Sequence, residues 1–240
     1  MIRRLKRLLK LIPGVKWLAT QWRVRRKVGH GEHAIKELGH RDYVGGHWEE
    51  KGRRQFEMMV DQGLQPQHYL CDVACGSLRG GVHFINYLEP GHYLGIEKEQ
   101  MLLDAGVEEE LGREVFEARR PELVCSDAFE FERFSVQPDY ALAQSLFTHL
   151  PPSLIEMCMR NLRGFIKPDG VFLVTFFETD RPISNPSVPH DRHSFKYTRE
   201  EMERFGAETG WRTEYIGDWG HMRGQKLIKY TPDPDYGGGA

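Results

Sequence analysis

The chain has 240 residues, 40% hydrophobic and 28% charged, and a formal net charge of −2 at pH 7. This composition fits one globular α/β domain plus an extension, and no apolar run reaches the length of a membrane-crossing helix. Cys71, Cys75, Cys125 and Cys158 fall in predicted strands, a turn and a helix rather than in a disulfide framework, which points to a reducing compartment and a cytoplasmic protein.

The near-neutral total hides two unequal parts. Residues 1–29 carry ten Lys or Arg and no acid, which leaves 23 basic against 35 acidic residues, net −12, for the remainder. Within the first twelve residues Ile2, Leu5, Leu8, Leu9 and Ile12 line one helical face, and Arg3, Arg4, Lys6, Arg7 and Lys10 the other. Pro13-Gly14 ends the pattern. Such a segment reads as an interfacial helix that contacts an anionic membrane surface peripherally. An organellar presequence, packing on the acidic remainder and nonspecific attraction to nucleic acid stay open as alternatives. The expected division is therefore an extension over residues 1–29 and a domain over residues 30–240.

Along that domain the hydrophobic periods alternate. They predict a helix near Glu49–Gln62, a strand near Tyr69, a helix near Gly80–Leu88, a strand near Tyr93 and a helix near Gln100–Glu110. Strands near Val124 and Tyr140 follow, then a helix near Pro152–Ile166, a strand near Val171 and a helix near Arg199–Glu208. Strands over Trp211–Ile216 and Lys226–Tyr230 close the series, joined by a short turn region and therefore paired as a hairpin. The alternation predicts a mostly parallel sheet with helices on both faces and an antiparallel terminal hairpin, seven strands in all.

The stretch YLCDVACGSLRGG, Tyr69–Gly81, carries the chemistry. A buried strand delivers Asp72 into a tight turn at Gly76, and the turn opens a helix whose amides face a crevice. A dinucleotide fingerprint would need glycine at 74, 76 and 79, where Ala74, Gly76 and Arg79 stand. Cys71-x3-Cys75 opens the spacing of an iron–sulfur site, but Leu78 occupies the third ligand position, so the thiols read as small buried groups.

This loop resembles the D-x-G-x-G-x-G loop of class I S-adenosylmethionine (SAM) methyltransferases, with Asp72, Ala74, Gly76 and Leu78 at the matching places. Leu78 departs most, because it adds a side chain where backbone usually approaches the ligand. Four later segments follow in the family's order: HYLGIEKEQ, LVCSDAFEF, PDYALAQSLFTHLP and GFIKPDGVFLVTFFE. The resemblance covers roughly residues 40–231. It implies a Rossmann-like fold and SAM as cofactor, with Asp72, Ala74, Cys75, Gly76, Ser77 and Arg79 around its methionine end. Glu97 and Lys98 then fall at the ribose, Ser126, Asp127 and Ala128 at the adenine, and Gln144 near the methyl group.

The same resemblance sets the expected reaction: methyl transfer to a hydroxyl of a small-molecule or saccharide acceptor. His149, after the fourth strand, is the first candidate for the general base, because imidazole titrates near neutral pH. His221 and Glu178 are the runners-up. No spacing requires a metal, although Asp127, Glu178 and Asp180 are acids that could approach one another. An aromatic-bearing leader, Gly39–Met59, and a Pro-rich connection, Glu178–Tyr197, are expected to close the site; the second holds Arg181, His190, Arg192, His193 and Lys196. The alternatives are nitrogen methylation or a nucleic-acid substrate, and a SAM-binding accessory protein without catalysis. Against nitrogen methylation or a nucleic-acid substrate, Gln144-Ser145-Leu146-Phe147 stands where an Asn/Asp-Pro-Pro-aromatic motif would be needed.

Overall fold

Alternation of side chains along single strands divides the molecule into two packed faces. In β1 (Leu70–Val73) Leu70 joins one apolar cluster and Cys71 and Val73 the other, and every residue of the strand is buried. The structure, a computed structural model, describes residues 31–190 and 194–237. These residues divide into two units, one ending at Gly46 and one beginning at His47. The first holds α1 (Gly31–Leu38) and the single turn α2 (His40–Tyr43). The basic amphipathic face expected over residues 1–29 lies outside the described residues.

The second unit runs α3 (Trp48–Asp61), β1, α4 (Gly81–Tyr87), β2 (Tyr93–Glu97), α5 (Gln100–Ala105), α6 (Arg113–Arg119), β3 (Glu122–Cys125) and β4 (Tyr140–Ala143). It continues with α7 (Pro152–Arg163), β5 (Val171–Glu178), β6 (Lys196–Tyr197), α8 (Arg199–Glu208), β7 (Trp211–Asp218) and β8 (Lys226–Pro232). Strand order is β3-β2-β1-β4-β5-β8-β7. Pairs from β3 to β5 are parallel, and β8 pairs antiparallel with both β5 and β7. The mostly parallel sheet with its antiparallel hairpin is the expected one. An eighth, two-residue strand, β6, lies parallel to the end of β5 and is too short to leave a hydrophobic period in the sequence.

Helices cover both faces. Met58 and Met59 of α3 and Phe84 and Ile85 of α4 pack on the side of Leu70, Leu142 and Leu173. Ile155, Met159 and Leu162 of α7 and Met202 and Phe205 of α8 pack on the side of Val73, Ala141 and Phe172. Phe56, an aromatic of the segment expected to close the site, packs against this first set in contact with Phe84 and Tyr87. The helix expected over Gln100–Glu110 is broken: after α5 the chain widens into a π-helical turn, Gly106–Leu111, and α6 follows as a separate helix. A Cβ at Gly106 would lie 2.8 Å from Leu78 Cγ, so this glycine is where the π-helical turn meets the loop after β1.

Strand order reverses between β1 and β4, which both run outward to the same edge. A crevice opens beyond the carboxyl ends of parallel strands at such a switch point, and it places the loops after β1, β2, β3 and β4 around one site.

Candidate functional site

The loop after β1 explains its own sequence. Ala74, Gly76 and Leu78 have φ of 60°, 59° and 64°, so alternate residues are left-handed. These are the three positions where the resembling pattern carries glycine, because only glycine takes that conformation without steric cost. The expectation for Leu78 is corrected here: its side chain is fully buried in the core beside Gly81 and Gly106, and it does not stand in the cradle. Ser77 is also fully buried, and its Oγ has no hydrogen-bond partner among the described residues. An orphaned hydroxyl at a strand-to-helix turn costs about 1–3 kcal/mol unless a ligand meets it.

Two carboxylates sit behind this loop. Asp72 accepts a hydrogen bond from the Tyr93 hydroxyl at 2.8 Å, and burial pushes its pKa up to about 6 against the pull of Tyr93 and Arg79. Arg79 is itself lowered to about 10 by burial, with Asp72 opposing. At the end of β2, Glu97 accepts from the amides of Gly76 at 3.0 Å, Lys98 at 2.9 Å and Glu99 at 3.2 Å. Burial raises its pKa, and those backbone donors hold it down. Cys75 is buried in the same loop, its thiol pushed up by burial, and all four cysteines are free thiols.

After β3 the chain turns through Ser126, Asp127 and Ala128. The Ser126 amide donates to the Glu97 carbonyl at 3.0 Å, which ties this turn to the end of β2; Asp127 and Ala128 are exposed there. Ser126 Oγ donates to Glu130 at 2.8 Å and accepts from the Ala128 amide at 3.2 Å.

After β4 a polar network crosses the sheet end. Gln144 Oε1 accepts from Gln55 Nε2 of α3 and from Arg79 at 3.4 Å, and its Nε2 donates to Ser145 Oγ at 2.8 Å. Ser145, left-handed at φ 61°, donates through its hydroxyl to Gln225 at 3.0 Å, and its amide donates to Thr175 of β5 at 2.8 Å. Gln225 also accepts from Thr175 at 2.7 Å. Gln55, Thr175 and Gln225 have no period-based signature, and sequence reasoning missed them. Gly52, one turn before Gln55, has no room for a Cβ against the Arg79 carbonyl, so α3 rests directly on the loop.

The three candidate bases stand apart in character. His149 lies after β4 with Nδ1 2.9 Å from the His190 carbonyl, and the His190 amide donates to the His149 carbonyl at 3.0 Å. That contact makes Nδ1 the protonated nitrogen of the neutral ring and Nε2 the basic one. His221 is buried against Trp219, and its Nδ1 accepts from the Gln225 amide at 3.2 Å, so Nε2 carries the proton. Burial, then Lys51, Arg223, Arg79 and Arg54, lower its pKa to about 4. Glu178, at the end of β5, accepts from the Tyr215 hydroxyl at 2.8 Å, while the Arg199 guanidinium lies 4.6 Å from the Tyr215 ring.

The Pro-rich connection after β5 is tied down at several points. Asn185 exchanges two hydrogen bonds with the Lys196 backbone, and the Phe195 amide donates to the Thr148 carbonyl at 2.8 Å. Arg181 is exposed, and Arg192 and His193 lie outside the described residues. Among the described residues no three His, Cys, Asp or Glu side chains stand together as a metal site. No helix of these residues is long and apolar enough to cross a membrane.

No family model matches the sequence. Solved structures do resemble it in shape. Magnesium protoporphyrin IX methyltransferase (ChlM) from Synechocystis PCC 6803, solved with bound SAM, superposes with a TM-score of 0.53 at 11% identity, over 89% of this chain and 90% of that one. CalS10, an amino pentose methyltransferase from Micromonospora echinaspora with bound SAM, gives 0.56 at 15% identity over 80% and 94%. The glycopeptide N-methyltransferase MtfA complexed with SAM gives 0.57 at 15% identity over 75% and 94%. Strand order, hairpin and these neighbours together give the chain the Rossmann-like fold of the class I SAM-dependent methyltransferases.

Proposed function

We propose that the chain is a SAM-dependent methyltransferase whose acceptor is a hydroxyl of a small molecule or saccharide. The observation that carries this reading is the cradle at the switch point, where a left-handed loop with the orphaned Ser77 hydroxyl is bonded to Glu97. The groups present fit the cofactor. Ser77 and Arg79 suit its methionine end, the remaining lone-pair capacity of Glu97 suits ribose hydroxyls, and Asp127 suits the adenine amino group. Bound there, SAM supplies an electrophilic methyl group on a sulfonium.

The chain's own contribution is orientation and proton removal. Holding an acceptor oxygen in line with the methyl group contributes on the order of 7–11 kcal/mol. His149 is the proposed base, because its Nδ1 contact with His190 leaves Nε2 as the nitrogen that takes a proton. His221 is proposed as a donor rather than a base, since Nε2 holds the hydrogen in the tautomer set by Gln225. The extension over residues 1–29 is proposed to hold the protein reversibly at anionic membrane surfaces. Calorimetric titration with SAM, followed by a turnover assay over alcohol, amine and saccharide acceptors, tests the reading. Absence of SAM binding removes it, and turnover confined to amines moves the acceptor atom to nitrogen.

A further inference from the structure

The turn between β7 and β8 presents donors and positive charge, and its one carboxylate, Asp218, is engaged by the Gly220 amide at 2.9 Å and by Lys226 at 3.7 Å. Trp219 stacks on His221 with ring centroids 5.1 Å apart, and its buried Nε1 has no partner among the described residues. Arg54 of α3 reaches the same turn, close enough that a Cβ on Gly220 would lie 2.6 Å from its Nη1; its Nε is likewise buried and unpartnered. Arg223 lies with its guanidinium 5.0 Å from the Phe177 ring centre and 3.4 Å from Ser194 Oγ. Neither Arg54 nor Arg223 forms an ion pair among the described residues. Asp72 acts on Arg79, the cation of the loop after β1.

Resting on the methyltransferase reading, we infer that the acceptor carries a phosphate monoester, seated between Arg54 of α3 and Trp219, His221 and Arg223 of the β7–β8 turn. The chemistry of the donor set selects the group. Arg54 and Arg223 supply two positive charges, the unpartnered Trp219 Nε1–H supplies one neutral donor, and the tautomer set by Gln225 makes His221 Nε2–H a second. A carboxylate brings one negative charge and two oxygens; a phosphate monoester brings close to two charges and three terminal oxygens. Burying unanswered N–H groups next to like charges is costly, and an oxyanion removes both costs at once. Burial first, and then the positive field of Lys51, Arg223, Arg79 and Arg54, disfavours a charge on His221, and that same field attracts a dianion. The seat is tied to the loop after β4 by bonded neighbours: the Gln225 amide donates to His221, and Gln225 accepts from Ser145 of that loop, which also carries His149.

The test uses the full chain loaded with S-adenosylhomocysteine and follows the Trp219 indole N–H resonance, assigned through Trp219→Phe. Methyl phosphate is expected to shift that resonance saturably, with acetate at least about tenfold weaker and both weakening as salt rises. Arg54→Gln and Arg223→Gln are each expected to raise the methyl phosphate midpoint about tenfold, the loss of one charge-assisted contact, while S-adenosylhomocysteine affinity stays within about twofold. Arg223 is exposed, so its substitution keeps the test decisive if Arg54→Gln does not fold. A shift that does not saturate, acetate binding as tightly as methyl phosphate, or a midpoint untouched by both substitutions overturns the proposal. A tenfold loss of S-adenosylhomocysteine affinity in the two variants also overturns it, by assigning these cations to the cofactor's carboxylate. If calorimetry detects no S-adenosylhomocysteine binding while methyl phosphate still shifts Trp219, the phosphate seat stands and the methyl-transfer reading falls.

Discussion

The Gly76 amide donates to Glu97 Oε2 at 3.0 Å, so the turn that ends β1 and the acid that ends β2 form one bonded unit. Glu97 therefore has a structural and a binding task at once. Glu97→Ala is expected to remove SAM binding from calorimetry, because it deletes the proposed ribose acceptor and releases the loop. Glu97→Gln separates the two tasks: one amide oxygen keeps either the Gly76 amide or the Lys98 and Glu99 amides but not all three, and affinity should fall by an intermediate factor of roughly tenfold. Unchanged affinity in Glu97→Ala would remove this acid from the cofactor site.

Asp72 pays for its position in stability. Its pKa is raised from 3.8 to about 6, so between those values the folded chain binds a proton that the unfolded chain has released. Stability consequently falls as pH rises through about 6, by about 3 kcal/mol for an uncompensated shift of this size. Asp72→Asn is expected to raise the melting temperature at pH 7.5, with the gain shrinking below pH 6 and absent near pH 4. The raised value already contains the opposing pull of Tyr93 and Arg79, so the expected gain is net of both. SAM affinity should weaken in the same variant, the usual exchange of stability for function at a strained site. A melting temperature that is lower at pH 7.5 and equal at pH 4 would show that the Arg79 interaction outweighs desolvation.

His149→Ala is expected to lower kcat by about 10²-fold or more, with SAM affinity nearly unchanged, once an acceptor is in hand. The two contacts with His190 make loop displacement the competing explanation. His149→Gln addresses it, since its amide N–H can replace the Nδ1 donor without supplying a base. Gln matching wild type in rate would end the base assignment and leave Glu178 or water.

The basic extension predicts behaviour at a surface. With ten basic residues and no acid in residues 1–29, attraction to anionic vesicles should reside there alone, at about 1 kcal/mol per basic residue near the surface. Sedimentation with phosphatidylserine vesicles should be seen at low salt, fade as salt shortens the Debye length, and disappear when residues 1–29 are removed. Equal sedimentation of the truncated and intact chains would reassign the extension to packing or targeting.

What the sequence determined by itself was local. Tyr69–Gly81 announces a strand, a turn and a helix because burial periods of two and 3.6 flank a glycine. The α8 start is equally legible, since Thr198 and Glu201 stand three apart and form a reciprocal cap at 3.1 and 2.8 Å. The break after Ala105 and the two-residue β6 were not legible, because a π-turn and a strand of two residues leave no period to read. Only tertiary structure decided where Leu78 points. Sequence gives its position in the loop, but the space opened by Gly81 and Gly106 draws the side chain into the core and leaves the cradle open. Only tertiary structure, too, joined Gln55 to Gln144 across 89 residues and Ser145 to Gln225 across 80. Hydrogen bonding at such separations is dictated by the order of strands in the sheet, and that order follows from burying two apolar faces together rather than from any one segment.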